Sequence, residues 1–299
     1  MKRLILQITV SFLCLCAFLM DAQGQGPPIN TDTPIMLGLQ GRGVHFFVKV
    51  VRKATLLQEG NETSDTMDRR ITARITPLAI PYNLFNARFQ IGTIIPFMDI
   101  DFDSRSHHAA SAGIGDVRFF AKYLLYQRDR KRETLRIAAK TAVKLPSGDE
   151  NKSPALGNGS TDYAFSTVAG WIKNRTGLYL EGIYNLNTSK GPIDFGDSFS
   201  YNLAIGYRLL PGVYETYPAL QLNGFLEING ITMSTNQSNG RSVENSGGTT
   251  VFFSPGLQFV GGRRWLLEAS FQYPIINKPN GTQVATDWTI SLGTRVLLF

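Results

Sequence analysis

Leu135-Arg136-Ile137-Ala138-Ala139-Lys140-Thr141-Ala142-Val143-Lys144-Leu145 is the stretch whose reading decides the fold. Its odd positions are apolar or near-apolar, and its even positions are cationic or small. Successive side chains of a β-strand point to opposite faces, so this strand has one greasy and one wet side. A sheet built entirely from such strands needs oil on one face and water on the other. That is the pattern of a transmembrane β-barrel.

The same alternation recurs elsewhere. Val44, Phe46, Val48 and Val50 interleave with His45, Phe47, Lys49 and Val51. Val117, Phe119, Ala121 and Tyr123 interleave with Arg118, Phe120 and Lys122. In all, twelve stretches are expected as strands, near 43–57, 69–80, 87–99, 114–127, 133–145, 161–173, 176–188, 198–210, 216–230, 248–260, 263–276 and 284–299. The connections alternate long and short. Those at 58–68, 100–113, 146–160, 189–197, 231–247 and 277–283 read as outer loops, and each exceeds every inner turn between them. Long outer loops, tight inner turns and an even strand count are the rule for outer-membrane barrels. Trp171, Trp265, Trp288, Tyr123 and Tyr163 fall near strand ends, where amphipathic rings suit the headgroup level.

The two ends agree. Met1-Lys2-Arg3 precedes an apolar run to Met20 and small residues at Ala22 and Gly24, so 1–24 reads as a signal peptide. Residues 25–42, with Gly26, Pro27, Pro28 and Pro34, read as a periplasmic arm, and 43–299 as the barrel. Whether the arm or a long loop plugs the lumen is a question the strand pattern leaves to the structure. Cys14 and Cys16 both lie in the leader, so disulfides, thiolate metal sites and a cysteine nucleophile are excluded from the mature chain. The terminal Phe299 resembles a sorting signal read by the barrel-assembly machinery. It lies one position out of phase with Ile290, Leu292, Val296 and Leu298, which a bulge near Gly293 or a frayed end would reconcile. The net charge of +7 comes from 30 basic and 23 acidic residues. The cations are spread along strands of an exported chain, which argues against nucleic acid and for lipopolysaccharide phosphates or an anionic solute as partners.

Three segments meet strand–loop junctions in order: Gly113-Ile114-Gly115-Asp116-Val117 leading to Ala121-Lys122-Tyr123, then Lys144-Leu145-Pro146-Ser147-Gly148-Asp149, then Gly157-Asn158-Gly159-Ser160-Thr161-Asp162. Together they resemble the outer-membrane transporter family named after the MetA pathway of phenol degradation. The resemblance implies a barrel that passes small compounds, often hydrophobic or aromatic. Physically the motifs read first as turn chemistry, since Pro146 stops a strand and Gly148 and Gly157 permit positive φ. A loop that folds inward and constricts the lumen is the sharper alternative.

The wet phase carries the candidate site. Lys49, Arg70, Arg74, Arg118, Lys122, Arg136, Lys140 and Lys144 form an expected basic wall, and Glu181, Glu227 and Glu268 an acidic one opposite. Phe47, Phe120, Tyr179, Phe225 and Phe252 are expected to narrow the lumen and offer apolar solutes a stacking path. Either the charges pair and hold the barrel shut, or they line a wet pore biased toward anions. Because the cations outnumber the assignable carboxylates, the second is favoured. Asp99, Asp101 and Asp103 read as a solvated acidic rim rather than a calcium loop, which would need a glycine and a distal glutamate. An enzyme would have to use His45, His107 or His108, and none has a serine at fixed spacing, so no catalytic, metal or cofactor role is expected. The expectation is a bacterial outer-membrane channel for passive passage of small solutes. A non-conducting structural or adhesive barrel and an outer-membrane lipid hydrolase are the alternatives.

Overall fold

The computed structural model describes residues 26–213, 219–262 and 264–298. The leader at 1–24 and Phe299 lie outside the described residues. The wall is one antiparallel sheet of strands β1 (Arg42–Gln58), β2 (Arg70–Asn83), β3 (Phe89–Asp103), β4 (in two pieces, His108–Ile114 and Arg118–Arg130), β5 (Glu133–Lys144), β6 (Asp162–Lys173), β7 (Thr176–Leu186), β8 (Ser198–Leu210), β9 (Gln221–Met233), β10 (Gly248–Gly261), β11 (Trp265–Pro279) and β12 (Thr282–Leu298). Each strand pairs with its chain neighbours. β1 and β12 close the ring from Arg42 opposite Leu298 to Gln58 opposite Thr282. Closure leaves no edge, so every backbone donor in the hydrocarbon region can be satisfied within the wall.

The alternation sorts as the sequence implies. On β8 and β9, Leu203, Ile205 and Leu226 are exposed to the outside, while Asn202, Glu227 and Asn229 are buried toward the lumen. Trp171 and Trp265 sit at the short-turn end, and Tyr123 and Tyr163 project outward.

The outer end departs from the expected boundaries. β3 and the first piece of β4 continue as a hairpin beyond the rest of the wall, paired from Phe97–Ile114 to Asp103–His108. The outer connection expected at 100–113 therefore shrinks to four residues between Asp103 and His108. The one expected at 277–283 is only Asn280-Gly281, with Gly281 at φ +58°. Asn-Gly is a strong tight-turn signal, and it outweighs the rule that outer loops are long. β12 runs through Gly293 with no shift of register, so the expected bulge does not occur there; the irregularities lie at Arg52–Thr55 of β1.

Leu203 lies midway along β8 and faces the bilayer. Leu203→Arg is expected to destabilise the folded barrel by about 2–4 kcal/mol, measured by refolding into lipid vesicles across a urea series.

Candidate functional site

The described part of the N-terminal segment does not lie beneath the barrel. It runs inside it. From Gly26 it rises past Gln258 to Thr31–Thr33 near mid-lumen, then descends past Gly170 to β1. The physical reason is a set of carboxylate and lysine contacts that water at the periplasmic mouth would not replace as well.

Glu227 is 1% exposed. It accepts hydrogen bonds from the backbone N–H groups of Ile29 (2.9 Å), Asn30 (3.0 Å) and Thr31 (2.8 Å), and from the Thr31 hydroxyl (2.7 Å). Successive amides aimed at one carboxylate satisfy a buried group that has no salt bridge among the described residues. Glu181 accepts from the Asp32 N–H at 3.0 Å and from Asn202 at 3.0 Å. The Asp32 carboxylate then meets the opposite wall, pairing with Lys122 at 2.9 Å and Lys140 at 2.6 Å. Lys122 also donates to the Thr33 carbonyl. Lower down, Arg295 pairs with Glu268 at 2.8 Å and donates to the Pro28 carbonyl. The arm thus presents amides to the acidic wall and a carboxylate to the basic wall.

Two apolar contacts complete the fit. Ile29 packs with Tyr179, Ala204 and Phe225, and Met36 with Leu124, Ala138 and Val168. Glycines make room: a Cβ on Gly256 would lie 2.5 Å from Ile29, and one on Gly170 would lie 2.8 Å from Pro34.

Most expected wall residues fall where the phase puts them. Lys49 pairs across β12 with Ser291, which is buried on the lumen side. Arg118 and Lys144 are cross-strand partners, and Arg136 bonds Asp129 near the short-turn end. Tyr179 and Phe225 are buried against the arm. The Phe47 ring lies under Arg295, Phe120 crosses over Gly92, and Phe252 opposes Asn229.

Arg70 and Arg74 do not belong to the basic wall. Lys49 pairs with Ile75, and a Cβ on Gly43 would meet Pro81, His45 and Leu37 of the arm. The odd residues of β2 therefore face inward, and Arg70 and Arg74 face out. Arg74 pairs with Asp99 at 3.3 Å and Asp101 at 2.8 Å, and Arg70 with Asp68. This part of the wall stands toward the outer rim, where water bathes the outside and a loop fills the inside. The alternation is inverted there, and apolar Met98 and Ile100 turn inward.

That loop, residues 145–161, folds into the outer mouth. Leu156 is 3% exposed and would touch a Cβ on Gly113 at 2.8 Å. Ser111 donates to the Pro154 carbonyl at 2.6 Å. The three motifs at the strand–loop junctions converge here on one ion cluster. Lys144 pairs with Asp116 at 3.1 Å and Asp162 at 2.6 Å, and bonds Asn158. Asp116 in turn accepts from the Gly148 and Asn158 N–H groups. The motifs are more than turn chemistry: they hold the loop inward.

Sequence reasoning missed Asp32, Asp116, Arg295 and the amide pair Asn202 and Asn229, which link Glu181 to Ser254 by hydrogen bonds. Arg295 shares its strand phase with Ser291, a signal that was readable. The excess of wall cations was itself the signal for Asp32 and Asp116.

The family model described as the MetA pathway of phenol degradation matches residues 61–291. The chain belongs to this family. No curated protein matches the chain. Among solved structures, an outer membrane channel from Pseudomonas putida F1 is 12% identical with a TM-score of 0.73, and the match covers 91% of this chain and all of that one. The β-domain of the Bordetella autotransporter BrkA is 10% identical with a TM-score of 0.52, over 87% of this chain and all of that one. These likenesses show the fold, that of an outer-membrane β-barrel.

Burial alone would raise the Asp32 carboxyl, but Lys122 and Lys140 outweigh it and hold it well below the usual carboxylate range. A lowered folded-state value contributes stability that is complete above the ordinary value of about 3.9 and lost as pH falls through the lowered one. The arm is expected to stay docked from pH 8 down to pH 4, and Asp32→Asn to undock it at every pH. A spin label on the arm reads both. Lys144→Met leaves Asp116 and Asp162 facing each other, each about nine-tenths buried. It is expected to cost about 3 kcal/mol and to expose loop 145–161 to protease in intact cells.

Proposed function

We propose that this barrel is a passive outer-membrane channel for small solutes, closed at rest by its own N-terminal arm. The observation that carries the reading is the arm's mode of attachment. It is held by side-chain and amide contacts to the wall, and it adds no strand to the ring. A closure of that kind can leave without opening the barrel.

The likeness to an outer membrane channel supports the same reading. The histidines give it further support over a hydrolase. His45 lies in the lumen beside Pro81, and His108 is engaged by Asp103 in the outer hairpin. A lipid hydrolase needs a histidine and serine meeting on the bilayer face.

When the arm withdraws, Lys122 and Lys140 lose their shared carboxylate. With Lys49 and Arg118 they outnumber the acids at that level of the wall, so the open lumen favours anions. Aromatic side chains at Phe47, Phe120, Tyr179, Phe225 and Phe252 offer a small hydrophobic or aromatic solute apolar contacts along the lumen.

The native chain in planar bilayers is expected to show small, infrequent currents. Deletion of residues 26–36 is expected to raise conductance at least five-fold, with anions carrying most of the current. Cation preference in the deletion variant overturns the anion bias. Silence of both forms overturns the channel and favours a non-conducting structural or adhesive barrel.

A further inference from the structure

We propose that the lumen contains a binding site for a small monocarboxylate bearing an aromatic or alkyl group, and that the arm occupies this site as an internal competitor. The proposal rests on the channel reading and names the solute class it serves.

The seat of the Asp32 side chain is a built carboxylate site. Lys122, 4% exposed, and Lys140 converge on its two oxygens, one lysine to each. Neither lysine has another carboxylate in contact among the described residues. Beside this seat lies an apolar pocket of Tyr179, Ala204 and Phe225, filled by Ile29. Asp32 lies three positions after Ile29, a span of at most about 10 Å. The arm therefore presents a carboxylate and an apolar group at a spacing that an aryl or medium-chain acid also spans.

Two hydroxyls show that the arm is an imperfect occupant. The Tyr179 hydroxyl, 1% exposed, and the Ser166 hydroxyl, 9% exposed, are buried without a hydrogen-bond partner among the described residues. Ser166 is the cross-strand partner of Lys140, and Tyr179 borders the Ile29 pocket. A buried hydroxyl left unsatisfied costs about 1–3 kcal/mol, so an occupant that reaches it gains over the arm. Glu181 sets the charge of the ligand. It lies against the Asp32 amide and keeps Asn202 as a donor when the arm leaves. Its charge tolerates a monoanion held by two lysines and disfavours a dianion such as phosphate.

The site accounts for how the plug is released. A solute that competes for Lys122 and Lys140 removes the only ionic anchor to the basic wall among the described residues of the arm. Binding and opening become one event, because the ligand prefers the state from which the arm has gone.

The test is equilibrium dialysis of the purified full chain in detergent, with phenylacetate, its neutral isostere phenylacetamide, and inorganic phosphate as probes. Asp32→Ala is expected to bind phenylacetate at least ten-fold more tightly than the native chain, since the competitor has lost its anchor. Phenylacetamide and phosphate are expected to bind Asp32→Ala at least ten-fold more weakly than phenylacetate. Lys140→Gln in the Asp32→Ala background is expected to abolish the preference for the acid. Equal affinity of native and Asp32→Ala chains, or equal binding of acid and amide, overturns the proposal. Should the double variant fail to fold, the comparison of acid with amide on Asp32→Ala still decides. Conductance of Asp32→Ala in potassium chloride alone separates the two readings. A silent barrel that prefers phenylacetate keeps the site and loses the channel. A conducting barrel without that preference does the reverse.

Discussion

A charge inside the lumen of a narrow barrel must have a partner, and the rest of this structure follows from how those partners are found. The wall strands carry more inward lysine and arginine than inward carboxylate. Cross-lumen pairing would require side chains to span the full width of a twelve-stranded ring. The chain solves this with two inserted segments instead. The arm brings Asp32 to Lys122 and Lys140, and the turn before the second piece of β4 brings Asp116 to Lys144. The acidic wall has the complementary difficulty, and Glu227 is met by three consecutive backbone amides of the arm. An extended segment is well suited to both tasks, because its own amides have no strand to pair with.

The same constraint explains the inverted phase of β2 and β3 at the outer rim. A charged residue belongs wherever water or a counter-ion is available. Within the hydrocarbon band that place is the lumen. Above it, water lies outside the wall, and loop 145–161 has taken the inside. Arg74, Asp99 and Asp101 accordingly pair on the outer surface, while Leu156 lies over Gly113 and Gly115 within.

These two points mark what was legible from residues alone. The barrel was legible because a period of two is a local property, repeated in every strand and enforced by solvent on both faces. Glu181, Glu227 and Glu268 were placed by that phase and lie where it puts them. Arg70 and Arg74 were misplaced because phase tells which residues share a face, not which solvent that face meets. Asp32 was out of reach for a different reason. It lies outside any strand, and its partners are 90 and 108 residues away in sequence. No periodicity links such residues. The unbalanced cation count was the trace they left, and it was read as evidence for a wet pore when it was equally a demand for missing carboxylates.

The energetics favour a plug that is firmly seated yet separable from the wall. Ile29 and Met36 are each worth about 1.5–3 kcal/mol of apolar burial, and the amide bonds to Glu227 about 1.5–3 kcal/mol each, as hydrogen bonds to a charged group. Against these stands the backbone entropy of holding some ten residues in one path, about 1–2 kcal/mol apiece. These gains are of the same order as the cost and do not exceed it, so docking depends on the Asp32 pairs with Lys122 and Lys140, which a competing anion could take. The wall itself is not part of that balance. The ring is closed by β1 against β12, and no described residue of the arm pairs into its ladder. A membrane barrel cannot open its ladder without exposing backbone to lipid. On the proposed reading, regulation lies in an element that touches the wall without belonging to it, and the arm is such an element.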